Sequence, residues 1–167
     1  MTSFLEGLKA IHLGSPDAEK EEAAVNHVSV LLFRIGGEPY AIGVESTEGV
    51  VDCPRISPLP SPPDGIVGVA SIRGKITVVM DLSLGSAQPE DRRRLILLRG
   101  DAQLGLLADR VEGVLSLTPR QVRSSGTRRQ DAQSEASAGS ELWPSQNYFK
   151  SEGREVPIID TSRLAEV

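Results

Sequence analysis

The sequence predicts a mostly β protein, built as two related small barrels in tandem. Three observations carry that prediction. Short apolar runs recur at regular spacing between glycine-bearing and polar turns, the pattern of barrels and sandwiches. A crossing, PRISPLPSPPDG, places five prolines in twelve residues, which forbids helix and favours an extended path. Two blocks of sequence also occur twice, in the same order, about half a chain apart.

Each element follows from its residues. Residues 1–27 are a polar tail with a short helix predicted at its start. There Ser3 and Glu6 have capping-box spacing, Phe4, Leu5, Leu8 and Ile11 fall near helical spacing, and Gly14 is a stop. From Val28 the period changes, and VSVLLFRIGGEPYAIGV reads as two strands around a Gly36-Gly37 turn, with EGVVDC continuing as strand. Beyond the proline crossing, IVGVASI and KITVVMD are two strands joined by Arg73-Gly74. That two-residue loop needs positive φ, which glycine supplies without strain. RLILLR, LGLLAD and VEGVLSL give three more strands. Residues 123–147 are polar and compositionally biased, which predicts a mobile loop. A strand at 155–160 and a short helical tail, TSRLAEV, close the chain. The predicted division is a tail over 1–27 and a folded domain over 28–167. Within it the first barrel runs over about 28–90, the second over about 91–154, and the closing strand and helix over 155–167.

The repeats align residue by residue. IRGKITVVMD (72–81) and SEGREVPIID (151–160) share a turn glycine (Gly74, Gly153), then a basic residue (Lys75, Arg154), an apolar run and a closing aspartate (Asp81, Asp160). AIGVESTEGVV (41–51) lines up with GLLADRVEGVL (105–115), placing Glu45 over Asp109 and EGVV over EGVL. An apolar strand ending in arginine and a glycine turn precedes each block: LLFRIGG and ILLRGD. The two tips differ, Arg73 against Glu152, so related barrels are expected to present unlike surfaces. An exposed guanidinium at a hairpin tip can fork onto a carboxylate or backbone carbonyls of a partner. Beside it, Val44, Val50 and Ile72 are expected to floor an apolar groove for one face of an amphipathic helix.

Composition narrows the function. A chain of 167 residues suits one domain or two small modules sharing a core. A net charge of −5 and an aromatic content of 4% argue against a nucleic-acid platform. One cysteine excludes an internal disulfide and fits a reducing compartment, and no apolar run approaches the ~18–20 residues of a membrane span. The start, MTSFLEGLKAI, lacks a basic front and a small-residue cleavage site, so a cytoplasmic protein is expected. His12, His27 and Cys53 have no metal-ligand spacing, and Cys53, before Pro54 at a strand end, reads as a buried inert thiol. Asp81 and Asp160, at equivalent strand ends, read as caps of the following turn rather than an acid/base pair. The triplet Arg92-Arg93-Arg94 reads as a solvated edge. No catalytic residues, cofactor or metal are predicted. A small β-barrel binder of nucleic acid or another ligand is the competing reading.

RISPLPSPPDGIVGVASIRGKITVVMDL resembles the central signature of the CheW-like proteins: a proline-rich crossing, a glycine, an apolar strand, an Arg-Gly turn and an apolar strand ending Asp-Leu. LLFRIGGEPYAIGVE is similar to that family's first hairpin, and LGLLADRVEGVLSLTPRQV to its second-barrel hairpin. The resemblance covers residues 28–123 well and 148–164 more weakly. It implies an all-β fold of two intertwined five-stranded, SH3-like barrels with short terminal helices. It implies a non-enzymatic adaptor that couples the cytoplasmic tip of a chemoreceptor to the regulatory domain of a CheA-type histidine kinase, in membrane-associated arrays. By that resemblance Arg73 is the motif arginine and Gly68 the glycine ahead of it. Val44, Thr47, Val50 and Ile72 would face the receptor, and Val111 and Val114 would serve kinase and ring contacts. Thr47 and Gly49 stand where the family has an aliphatic and an acidic residue, Ser71 replaces an asparagine, and Val78 replaces a proline that the second copy keeps as Pro157. With these departures, a specialised or accessory coupler and a general chemotaxis coupler are equal readings.

Overall fold

The computed structural model describes residues 26–83, 93–124 and 145–164. The predicted N-terminal helix and most of the polar 123–147 segment lie outside them. Among the described residues eleven strands form two sheets. They are β1 (Val28–Ile35), β2 (Glu38–Gly43), β3 (Thr47–Asp52), β4 (Ile66–Ile72), β5 (Lys75–Met80), β6 (Arg94–Leu98), β7 (Leu104–Ala108), β8 (Arg110–Leu117), β9 (Arg123–Ser124), β10 (Asn147–Ser151) and β11 (Arg154–Ile159). A 3-10 turn, Val44–Ser46, joins β2 to β3, and a one-turn helix, α1 (Thr161–Leu164), follows β11.

The β3–β7 sheet is contiguous in the chain and is here called the central barrel; its order is β3-β6-β7-β5-β4. The other, the terminal barrel, has the order β8-β1-β2-β11-β10-β9 and so joins strands from both ends of the described chain. Under the sequence repeat β3 corresponds to β8, β6 to β1, β7 to β2, β5 to β11 and β4 to β10. The two orders are then the same, apart from the added two-residue β9. Each sheet has one parallel pair at the matching place: β5 beside β7 and β11 beside β2. Even the irregularities repeat. The β3–β6 register slips between Thr47 and Gly49, and the β1–β8 register slips opposite Glu112, so Glu48 and Glu112 are the bulged residues of the two copies.

Three apolar clusters follow from strand alternation. Val30, Ala41, Phe149 and Val156 fill the terminal barrel, while Ala70, Val79, Leu95, Leu97 and Leu107 fill the central one. Between the barrels lies the largest cluster, with Leu31, Phe33, Ile35 and Ile42 from one side and Met80, Ile96, Leu98 and Leu106 from the other. This is why the four residues after Arg94 in RLILL are all buried: alternate residues face the barrel interior and the shared core. Each barrel has a small interior of its own, and the shared layer adds to its burial.

The proline crossing covers the outer edge of β4. Ser57 and Val69 exchange backbone hydrogen bonds of 2.8 and 2.9 Å. Gly68 makes that approach possible, because a Cβ there would stand 2.3 Å from the Ser57 carbonyl oxygen.

Arg93 corrects the reading of its triplet as a solvated edge. It is 3% exposed and reaches Asp81 at 2.8 Å and Asp109 at 3.7 Å, tying the start of β6 to the ends of β5 and β7. Arg94 is partly exposed and pairs with Asp52; Arg92 lies outside the described residues. Burial works to raise the Asp81 pKa, but hydrogen bonds from Arg93 and Ser83 outweigh it and hold the carboxyl below its ordinary range. Both repeat aspartates cap the next turn. Asp81 accepts from Ser83 N and Oγ at 2.9 and 2.7 Å, and Asp160 accepts from Ser162 N and Oγ at 3.1 and 2.6 Å. Cys53 is half-buried against the central core rather than sealed inside it.

Candidate functional site

The site begins with a two-residue turn. Arg73 and Gly74 have φ of 51° and 79°, both positive, the geometry of a tight hairpin whose twist matches its strands. Arg73 is thereby lifted clear of the sheet and exposed. Among the described residues its guanidinium makes no hydrogen bond or ion pair.

At the foot of this hairpin the central barrel opens into a cavity of about 140 Å³. Ile72, Arg73, Lys75 and Thr77 line it from the β4–β5 hairpin, and Glu48 enters from β3. Leu97, Leu98, Gln103 and Leu104 complete the wall from β6, β7 and their connection. The volume is well below the ~300–1,000 Å³ of pockets that hold small-molecule substrates, but it admits one side chain. Two cations and one carboxylate surround it, and among the described residues none of the three is ion-paired. Gln103 holds a left-handed φ of 45°, and its carbonyl accepts the Val78 N–H at 2.9 Å. That bond needs the N–H that a proline at 78 would lack.

The same end of the terminal barrel is wired differently. Its tip is Glu152-Gly153, with φ of 51° and 78°. Glu112, the counterpart of Glu48, accepts from Arg34 Nε at 2.6 Å and from Arg110 at 2.8 Å. These bonds hold Glu112 below the usual carboxylate range. Arg34 is kept protonated more firmly than usual, first by its bond and charge contact with Glu112, against a small opposing effect of burial, then by nearby Glu152 and Glu38.

Of the residues singled out from sequence, the structure gathers Ile72 and Arg73 at the cavity. The others are distributed. Val44 and Val111 are half-buried against the core between the barrels. Thr47 donates its hydroxyl to the Val44 carbonyl at 2.8 Å, pinning the turn before β3. Gly68 is buried beneath the crossing. Val50 and Val114 occupy equivalent positions on the edge strands β3 and β8 and point outward, 39% and 60% exposed. Sequence reasoning missed Glu48, Lys75, Thr77 and Gln103. The available signal was Thr77, a polar residue at an inward position of an otherwise aliphatic strand. Among the described residues no cluster of metal-ligating side chains occurs, and no helix is long and apolar enough to cross a membrane.

Two barrels sharing a core, with charged tips and outward valines on their edge strands, define a two-barrel β domain. The chain belongs to the CheW-like domain family, whose model matches residues 29–167. The chemotaxis protein CheW of Thermotoga maritima is 29% identical over 147 residues, spanning 86% of this chain and 91% of that one. CheW of Klebsiella aerogenes is 32% identical over 98 residues, 56% of this chain and 59% of its own. The crystal structure of the scaffolding protein TtCheW from Thermoanaerobacter tengcongensis superposes with a TM-score of 0.64 at 21% identity, over 80% of this chain and 89% of that one, which establishes the likeness of fold.

Proposed function

We propose that this chain is a non-enzymatic cytoplasmic adaptor. It couples the cytoplasmic tip of a chemoreceptor to the regulatory domain of a CheA-type histidine kinase in a chemosensory array. Membership of the CheW-like family supports the reading, as do relatives named as chemotaxis and scaffolding proteins. The observation that carries it is Arg73: exposed, held by a tight turn and, among the described residues, without an ion-pair or hydrogen-bond partner. A guanidinium in that state offers a charge-assisted fork to a partner carboxylate without first breaking an internal bond. The receptor contacts the hairpin end of the central barrel, and the kinase contacts the outward face of β8 around Val114. The departures at Thr47, Gly49 and Ser71 suit a specialised coupler with its own receptor.

The test is titration calorimetry of the full chain against a receptor cytoplasmic fragment and a kinase regulatory domain encoded in the same genome. Binding to both is expected. Arg73→Glu should weaken the receptor about tenfold or more while the melting curve stays in place. Absence of binding to both partners would overturn the proposal.

A further inference from the structure

The repeat shows why the cavity exists. In the terminal barrel Phe149 lies opposite Val156, and both are buried in its interior. In the central barrel the corresponding cross-strand pair is Ala70 opposite Thr77. A phenyl ring and a valine have been exchanged for a methyl and a hydroxyl-bearing side chain. The cavity opens beside this smaller pair, with Thr77 in its wall.

Thr77 is 4% exposed, and among the described residues its hydroxyl has no hydrogen-bond partner. It is not one of the sealed unpaired atoms, so the hydroxyl retains access to the cavity. Facing the cavity, this hydroxyl can hydrogen-bond a guest, which the valine of the sister copy could not. Around it stand Gln103 and the cations Arg73 and Lys75; Leu97 and Leu104 form apolar walls.

We propose that this cavity is a socket for a single glutamate side chain presented by a helix of the partner protein. The methylenes lie against the leucines, and the carboxylate accepts from Thr77 and Gln103 within and from the cations at the mouth. An aliphatic knob would fill the volume but leave the Thr77 hydroxyl unpaired, whereas an ionised carboxylate has about four acceptor sites to offer. Glu48 opposes the carboxylate, leaving a net positive rim of one charge. Its repulsion makes the socket selective for a guest that also satisfies the inner donors. That the glutamate belongs to a receptor rests on the function proposed above; the chemistry of the socket does not.

The experiment therefore uses a probe that needs no receptor. Amide shifts of the ¹⁵N-labelled full chain are followed during titration with N-acetyl-glutamate methylamide, its glutamine isostere and inorganic sulfate. Saturable shifts at residues 75, 77 and 103 with the glutamate compound alone are expected. Thr77→Val should weaken that binding roughly tenfold, the loss of a hydrogen bond to a charged group, without lowering Tm. Glu48→Gln should tighten it severalfold. Equal shifts with the glutamine compound, no localised shifts, or tighter binding of sulfate would each overturn the socket. With a receptor fragment, Thr77→Val should weaken binding in parallel. If the wild-type chain binds no receptor while the probe titrates as expected, the receptor assignment fails and the socket stands.

Discussion

The two hairpin tips have the same backbone and opposite charge. Arg73-Gly74 and Glu152-Gly153 agree in φ to within a degree, so the left-handed strain at each first residue belongs to the turn, not to a task. What differs is the surroundings. At the terminal barrel the bulged Glu112 is claimed by Arg34 and Arg110, and the Glu152 charge adds to the field on Arg34. At the central barrel Glu48, Arg73 and Lys75 line an open cavity, and among the described residues none of the three is ion-paired. Among the described residues, one end of the molecule pairs its charges internally and the other leaves them unpaired.

The comparison breaks most readily where the copies share a residue but not its environment. Asp81→Asn leaves buried Arg93 with only the more distant Asp109, and should cost about 3 kcal/mol in urea unfolding. The same change at Asp160, a partly exposed cap, should cost about 1 kcal/mol or less. Asp81 also sets a pH dependence. Its folded pKa is depressed, so its contribution is present above the ordinary carboxylate range and is lost as pH falls through about 4 and below. Thermal melts of Asp81→Asn should show a flatter acid limb than wild type. Next comes Gly68→Ala, which drives a methyl into the Ser57 carbonyl and should remove about 2 kcal/mol by displacing the crossing. Exchanging the tips, with Arg73→Glu and Glu152→Arg together, should lower receptor affinity about tenfold and leave kinase affinity unchanged in calorimetry. Val78→Pro copies Pro157 but removes the Val78 N–H to Gln103 bond; a loss of about 1 kcal/mol is expected. The smallest effect falls at Glu112→Gln, a partly exposed ion-pair site, at under ~1 kcal/mol.

Much of the frame was legible beforehand. The Gly36-Gly37 and Arg73-Gly74 hairpins, the runs from β3 to β8 and the two capping aspartates lie where the residue pattern put them, because turn chemistry and alternation act locally. Strand exchange was not legible in the periodicity: nothing in EPYAIG says that β2 will lie beside β11 rather than beside a strand of its own half. Arg93 misled for the same reason. A triplet of arginines after an acidic pair looks solvated until Asp81 and Asp109 are brought from other strands to bury its middle member. The cavity was hidden more deeply, since it is defined by side chains that are missing when Ala70–Thr77 is set against Phe149–Val156.

The sequence by itself determined that this chain is a duplicated set of short strands, where it turns, and that the two tips carry opposite charge. Those properties reside in neighbouring residues and in a repeat that can be read along a line. Tertiary structure alone decided which charges would be spent and which kept, and which barrel would be filled. Ion pairing and packing depend on distances between residues far apart in the chain, and only the folded sheets set those distances.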